Sequence, residues 1–286
     1  MAISADHIRT LHKYEIRVLV AIERLMKRHQ WVPLDILVKA VGLSESEVNY
    51  RIGRLMERGM VRFDTVPYEG YSLIFSGYDT LALLSLTRKG TVQALGCPIG
   101  EGKEAIVYEA LGLGQLALKF HHIGQRSFQS VRVTREYMPD KGHCPWIFAS
   151  RYSAEREYEA LKKLHTSVSV PLPVDINRHV VVMEFIPGLP LHRCRPDEPE
   201  AVMNDILENA ANAYRKGIIH SDLSEYNVML DSEGTVYLID WPQWIEVDHP
   251  NADEILRRDI ENITRYFGRK FNIHMPLEEA LQKVRE

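Results

Sequence analysis

Cysteine is scarce in this 286-residue chain: Cys97, Cys144 and Cys194 are odd in number, far apart, and form no C-x-x-C pair. A disulfide framework or a thiolate zinc site is therefore not expected. A long apolar run is also missing. The most apolar window, Leu73 to Leu86, is interrupted by Asp79, and a membrane span needs roughly 18 uninterrupted apolar residues. The segment from Met1 to Asp6 has no basic stretch followed by an apolar one, so no secretory signal is expected and a cytoplasmic location is the default. Nor is one sign of charge in large excess, with 35 Lys+Arg against 39 Asp+Glu for a net charge of -4. That balance excludes little, because a basic patch can sit on one half of a chain.

What remains is an ordinary globular composition, 45% hydrophobic and 26% charged, in a length that suits one large domain or two modest ones. Residues 1–90 carry 13 Lys+Arg against 10 Asp+Glu, so the net is +3 there and -7 in the rest. Within residues 7–28, Ile8, Leu11, Ile16, Leu19, Val20, Ile22, Leu25 and Met26 fall at helical spacing. A second helix is predicted from Pro33, a favoured first-turn residue, to Gly42. Ser44 and Glu47 then predict a capping box on a third helix, with Val48, Ile52, Leu55 and Met56 inward and Asn49, Arg51, Arg54 and Arg58 mostly on other faces. A β-like run from Met60 to Phe63 and a turn at Tyr68–Tyr71 follow. Three helices and a hairpin are the layout of a winged helix-turn-helix. The mild positive charge suits nucleic acid contact, and a protein-docking or packing role is the competing reading.

From Thr91 onward strands alternate with helices. Gly100, Glu101, Gly102, Lys103 and Glu104 form a glycine-rich turn leading into a β-like run. Glycines there let backbone N–H groups approach phosphates closely, and Lys103 adds charge. It is not a Walker P-loop, which requires G-K-[ST] before a helix. The strand Gln115–Phe120 places Lys119 among apolar neighbours, as an edge residue or a paired interior charge. Glu157, in register with Leu161 and Leu164 on a helix, is the preferred partner over Glu155 and Glu159. Such a Lys–Glu pair orients an ammonium toward nucleotide phosphates. The apolar strand from Val180 ends near Glu184 and Ile186, whose backbone groups can face an adenine edge; a plain core strand reads the same.

The most specific signal is His220-x-Asp222 with Asn227 five residues on, then an apolar strand closing at Asp240, thirteen residues after Asn227. Phosphoryl transfer needs a carboxylate to position the attacking group and oxygen ligands for a divalent cation. H-x-D-x-x-x-x-N followed by a strand ending in Asp supplies those parts at the kinase spacing. The 46 residues after Asp240 hold no A-P-E triplet, so the usual peptide-docking platform is not expected.

These residues resemble the RIO family of atypical protein kinases. The similarity is carried by Gly100–Glu104, Lys119, His220–Asn227, Ile239–Gln243 and a late segment from Asp248 to Asp259. With the N-terminal winged helix it points to the second RIO subfamily in a short, archaeal-like form. The implied fold is α+β: a winged helix-turn-helix over residues 1–90, then a trimmed two-lobed kinase domain over 91–286. Its lobes would cover about 91–183 and 187–286. The resemblance implies Asp222 as catalytic aspartate, Asn227 and Asp240 as ligands of Mg²⁺ or Mn²⁺, and Lys119 as the phosphate-orienting lysine paired with Glu157. ATP is the implied nucleotide. Autophosphorylation on serine is implied, with Ser127 or Ser130 as acceptors, as is transfer to Asp240 itself during ATP hydrolysis. The implied setting is maturation of the small ribosomal subunit and its RNA. One departure is Ala105, which stands where the subfamily loop often has Ser. The alternatives are a small-molecule phosphotransferase and a nucleic-acid-binding regulator that senses nucleotide.

Overall fold

The computed structural model describes residues 8–123 and 146–286. Ser127, Ser130 and Cys144 lie outside the described residues. The chain forms two compact units, Met1–Tyr152 with Ile176–Val180, and Ser153–Asp175 with Val181–Glu286. Among the described residues no helix is long and apolar enough to cross a membrane.

The first unit begins with α1 (Lys13–Leu25), α2 (Leu34–Val41) and α3 (Glu45–Glu57). Pro33 precedes α2 and Gly42 ends it in the left-handed conformation, as the sequence predicts. Ser44 accepts the Glu47 N–H at 3.3 Å, but the Glu47 carboxylate turns to Arg51 Nε at 2.7 Å instead of returning to the cap. The reciprocal box predicted there is thus half-formed. A complete one stands at α1, where His12 and Glu15 cap each other's backbone. Val48, Ile52 and Leu55 are buried, whereas Met56 is 41% exposed and does not join the core. The wing pairs β1 (Val61–Asp64) with β2 (Gly70–Leu73) antiparallel, Val61 opposite Leu73, and a bridge between Val32 and Tyr71 widens it.

The apolar window after the wing is a fourth helix, α4 (Phe75–Lys89), which the three-helix reading did not include. It buries Tyr78, Asp79, Thr80, Leu81, Ala82, Leu83 and Leu86 in succession, so no amphipathic stripe betrays its period. Three strands follow as an antiparallel meander: β3 (Ala94–Glu101), β4 (Ala105–Leu111) and β5 (Gln115–His121). The next helix is α5 (Trp146–Leu164), which carries Glu157, Leu161 and Leu164. The boundary between units falls within α5.

Beyond β6 (Pro173–Asn177) and β7 (Val180–Glu184), the second unit is built on α6 (Pro199–Arg215), α7 (Ala252–Phe271) and α8 (Leu277–Arg285). Short strands complete it: β8 (Gly188–Pro190), β9 (Ile218–Ile219), β10 (Val228–Asp231), β11 (Val236–Leu238) and β12 (Ile245–Glu246). They pair as β11–β10–β8 and β12–β9. Ile206, Ile218, Val228, Leu238, Trp241, Ile260 and Phe267 are buried, and they anchor the loops that leave β9 and β11.

Candidate active site

The loop between β9 and β10 is held from several directions. Ser221 adopts φ 70°, a left-handed conformation that a non-glycine residue takes only when its surroundings impose it. Its N–H donates to Asp259 Oδ2 at 2.7 Å, and its carbonyl accepts from Arg258 at 2.6 Å, so α7 grips both sides of this residue. Asp222 follows with its side chain exposed. Asn227 is buried and donates Nδ2–H to the Asp222 carbonyl at 2.7 Å and to its Oδ2 at 3.3 Å. With the amide nitrogen occupied, the Asn227 side-chain oxygen is the atom left to face a cation.

Asp240 is placed through its neighbour. Ile239 donates its N–H to the Asn227 carbonyl at 3.0 Å and accepts His220 Nε2–H on its own carbonyl at 3.0 Å. Clamped on both sides, Ile239 delivers Asp240 at φ 68°, again left-handed. Trp241 is fully buried, its ring 4.4 Å from that of His220, and its indole N–H bonds the Leu238 carbonyl at 3.0 Å. Asp222, Asn227 and Asp240 are therefore one backbone-locked set. Burial raises the Asp259 carboxyl above its ordinary value, opposed by His220, Arg258 and the Ser221 N–H.

In the first unit, Gly100 lies within β3 rather than in the turn, which comprises Gly102, Lys103 and Glu104. Gly102 N–H closes the turn on the Ala105 carbonyl at 2.8 Å, and Glu104 accepts the His122 N–H at 2.7 Å. Gly100, Glu101, Gly102 and Lys103 are exposed. Nothing internal demands glycine here: a Cβ would meet nothing nearer than 3.9 Å at Gly100 or 3.6 Å at Gly102, and neither has positive φ. Gly100 pairs with Val107, and Val107 pairs with Lys119, so these three share one face of the meander. Lys119 is buried on β5.

The remaining candidates lie in the second unit. Glu157 is buried on α5, whereas Glu155 and Glu159 are exposed. Glu184 ends β7 exposed, its backbone N–H on the Leu172 carbonyl at 2.9 Å and its carboxylate accepting Leu172 N–H at 3.3 Å. Ile186 is buried, and its carbonyl accepts the Gly188 N–H at 2.9 Å. Sequence reasoning gave no role to Asp259, Arg258 or the His220 imidazole. The available signal was an acidic residue between Leu256 and Ile260 on the apolar face of α7, where a buried carboxylate needs a partner.

Comparison with known proteins meets this geometry from outside. A family model described as the RIO domain matches residues 106–280, and one described as Rio2, N-terminal, matches residues 8–89. The RIO-type serine/threonine-protein kinase Rio2 of Methanocaldococcus jannaschii is 40% identical over 256 residues, covering 87% of this chain and 93% of that protein. The serine/threonine-protein kinase rio2 of Dictyostelium discoideum is 32% identical over 276 residues, and the chain spans only 53% of its length. Among solved structures, the Rio2 kinase–ADP/Mg²⁺–phosphoaspartate complex from Chaetomium thermophilum matches with a TM-score of 0.84 at 30% identity, covering 100% of this chain and 90% of that one. The chain belongs to the RIO family of serine/threonine-protein kinases, in its Rio2 branch.

Proposed function

We propose that the chain binds ATP with Mg²⁺ and transfers the γ-phosphoryl group to serine, its own included, or to its own Asp240, and that it acts as a switch on small ribosomal subunit precursors. The observation that carries this is the locked set of Asp222, Asn227 and Asp240. An exposed carboxylate beside two oxygen donors is what phosphoryl transfer requires. Asn227 and Asp240 offer hard oxygen ligands of the kind Mg²⁺ takes and would hold the cation, which would supply charge neutralisation to the phosphates.

Asp222 positions the attacking serine hydroxyl and takes its proton. Lys119 and the exposed Lys103 offer positive charge to the phosphates. When Asp240 is the acceptor, a bond forms between its carboxylate oxygen and the γ-phosphorus while the bridging P–O bond to ADP breaks. Water then releases phosphate and regenerates the carboxylate. The related Chaetomium kinase was crystallised as a phosphoaspartate complex, which supports this branch.

The test is incubation with γ-labelled ATP, alone and with small-subunit precursors, followed by acid and hydroxylamine. Acid-stable label on serine reports the kinase, and hydroxylamine-labile label reports the aspartyl-phosphate ATPase. Asp222→Asn should reduce turnover by roughly 10²–10⁴-fold. No label, no Mg²⁺-dependent hydrolysis and an unaffected Asp222→Asn would overturn the reading.

A further inference from the structure

Three metal-ligating side chains from separate segments converge within the first unit. Asp79 comes from α4, His122 follows β5, and His179 sits in the turn between β6 and β7. His179 Nε2 lies 2.7 Å and His122 Nε2 2.9 Å from the same oxygen, Asp79 Oδ1. All three donor atoms fall within 4.8 Å of one another. Asp79 and His179 are buried, while the His122 side chain keeps 18% of its surface exposed.

We propose that Asp79 Oδ1, His122 Nε2 and His179 Nε2 form a site for one transition-metal dication of the zinc class. Four physical points support it. First, two imidazoles and one carboxylate are a zinc donor set, and nitrogen donors disfavour the hard cations Mg²⁺ and Ca²⁺. Second, Asp79 is a buried carboxylate whose ion-pair partners among the described residues are these two histidines, with no Lys or Arg. A dication supplies the fixed positive charge that a buried carboxylate calls for.

Third, the rings are preset. Tyr78 stacks on His179 at 4.3 Å and Phe75 lies 4.2 Å from His122, so neither imidazole turns freely. Fourth, the required movement is small. Bonds of about 2.0–2.1 Å in a tetrahedral shell put neighbouring ligands about 3.3 Å apart, so each N···O separation opens by roughly half an ångström. The exposed edge of His122 gives water access to the fourth position.

Metal binding requires both Nε2 atoms to be free of a proton, so each coordinating neutral imidazole carries its proton on Nδ1. On His122 that Nδ1–H lies at the partly exposed ring. On His179 it is buried where Nδ1 has no hydrogen-bond partner, which lowers the affinity below that of a site with a complete outer shell.

The experiment titrates the full chain with Zn²⁺ by calorimetry and with Co²⁺ by visible absorption. Wild type should bind one Zn²⁺ at this site and show the intense d–d bands of low-symmetry Co²⁺. His122→Gln, whose amide can still donate to Asp79, should keep the metal-free unfolding temperature and weaken Zn²⁺ by roughly 100-fold or more, above the loss expected from an outer-shell change. Asp79→Asn should do the same, whereas Asp240→Asn should leave the Co²⁺ spectrum intact. Absent stoichiometric binding, binding unchanged in His122→Gln, or Co²⁺ bands lost in Asp240→Asn would each overturn the proposal and leave the three residues a hydrogen-bonded clasp.

Discussion

A single buried carboxylate, Asp259, sets the posture of the loop that carries Asp222. It holds the Ser221 N–H at 2.7 Å, one residue before Asp222. Its pKa is raised above 3.8 by burial, with His220 and Arg258 pulling the other way. A raised carboxyl pKa means that the folded chain binds this proton more tightly than the unfolded chain. Its contribution to stability is therefore fully present below 3.8 and lost as pH rises through the raised value. Activity should follow the opposite course, because the ionised carboxylate is the better acceptor for Ser221. Turnover should fall as pH drops into that range, while Asp259→Asn flattens this acid limb and removes the matching term from the unfolding temperature. Parallel pH profiles of both quantities check this; an acid limb unchanged in Asp259→Asn would show that another group controls it.

At the scale of elements, two features separate folding from binding. Alanine at Gly102 meets only ordinary contacts, so its effect on stability should stay within about 0.5 kcal/mol. If phosphates pack against that bare backbone, the same change weakens nucleotide affinity, and thermal melts beside nucleotide titrations will show whether the two part company. Helix α3 poses the reverse problem. Arg51 reaches Glu47 at 2.7 Å and the buried Glu15 at 3.8 Å, and Arg54 also lies 3.8 Å from Glu15. These arginines are partly neutralised within the winged helix, so they are not a bare cationic face for nucleic acid. Arg51→Ala should destabilise by roughly 1–3 kcal/mol by leaving a buried carboxylate less compensated. Adding Glu15→Gln should recover part of that loss in a double-mutant cycle. Much of this was legible from residue order. Pro33, Gly42 and Ser44 mark helix ends by local backbone chemistry, and the spacing of Asp222, Asn227 and Asp240 stands on the page. Three things were not legible. The helix α4 hides its period because most of its sides are buried, and His12 is an uncommon cap. Met56 shares the spacing of its buried neighbours and faces solvent, because only tertiary packing decides where the apolar stripe ends.

For the whole molecule, binding of nucleotide to the folded chain alone must raise its unfolding temperature by mass action. At a hundred times the dissociation constant, ATP with Mg²⁺ should add about 2.7 kcal/mol. Lys119→Ala or Asp240→Asn should abolish most of that gain, as differential scanning calorimetry would register; an undiminished gain in both would place the nucleotide elsewhere. The buried Trp241 adds a means of watching this without labels. It follows Asp240 directly, and its ring lies 4.4 Å from that of His220. Any group placed on Asp240 changes the field at an indole already shielded from water. If Asp240 takes the phosphoryl group as proposed, the chain carries its own optical gauge, and tryptophan emission should step once when the group arrives and again when it leaves; emission that stays flat through turnover would count against Asp240 as the acceptor.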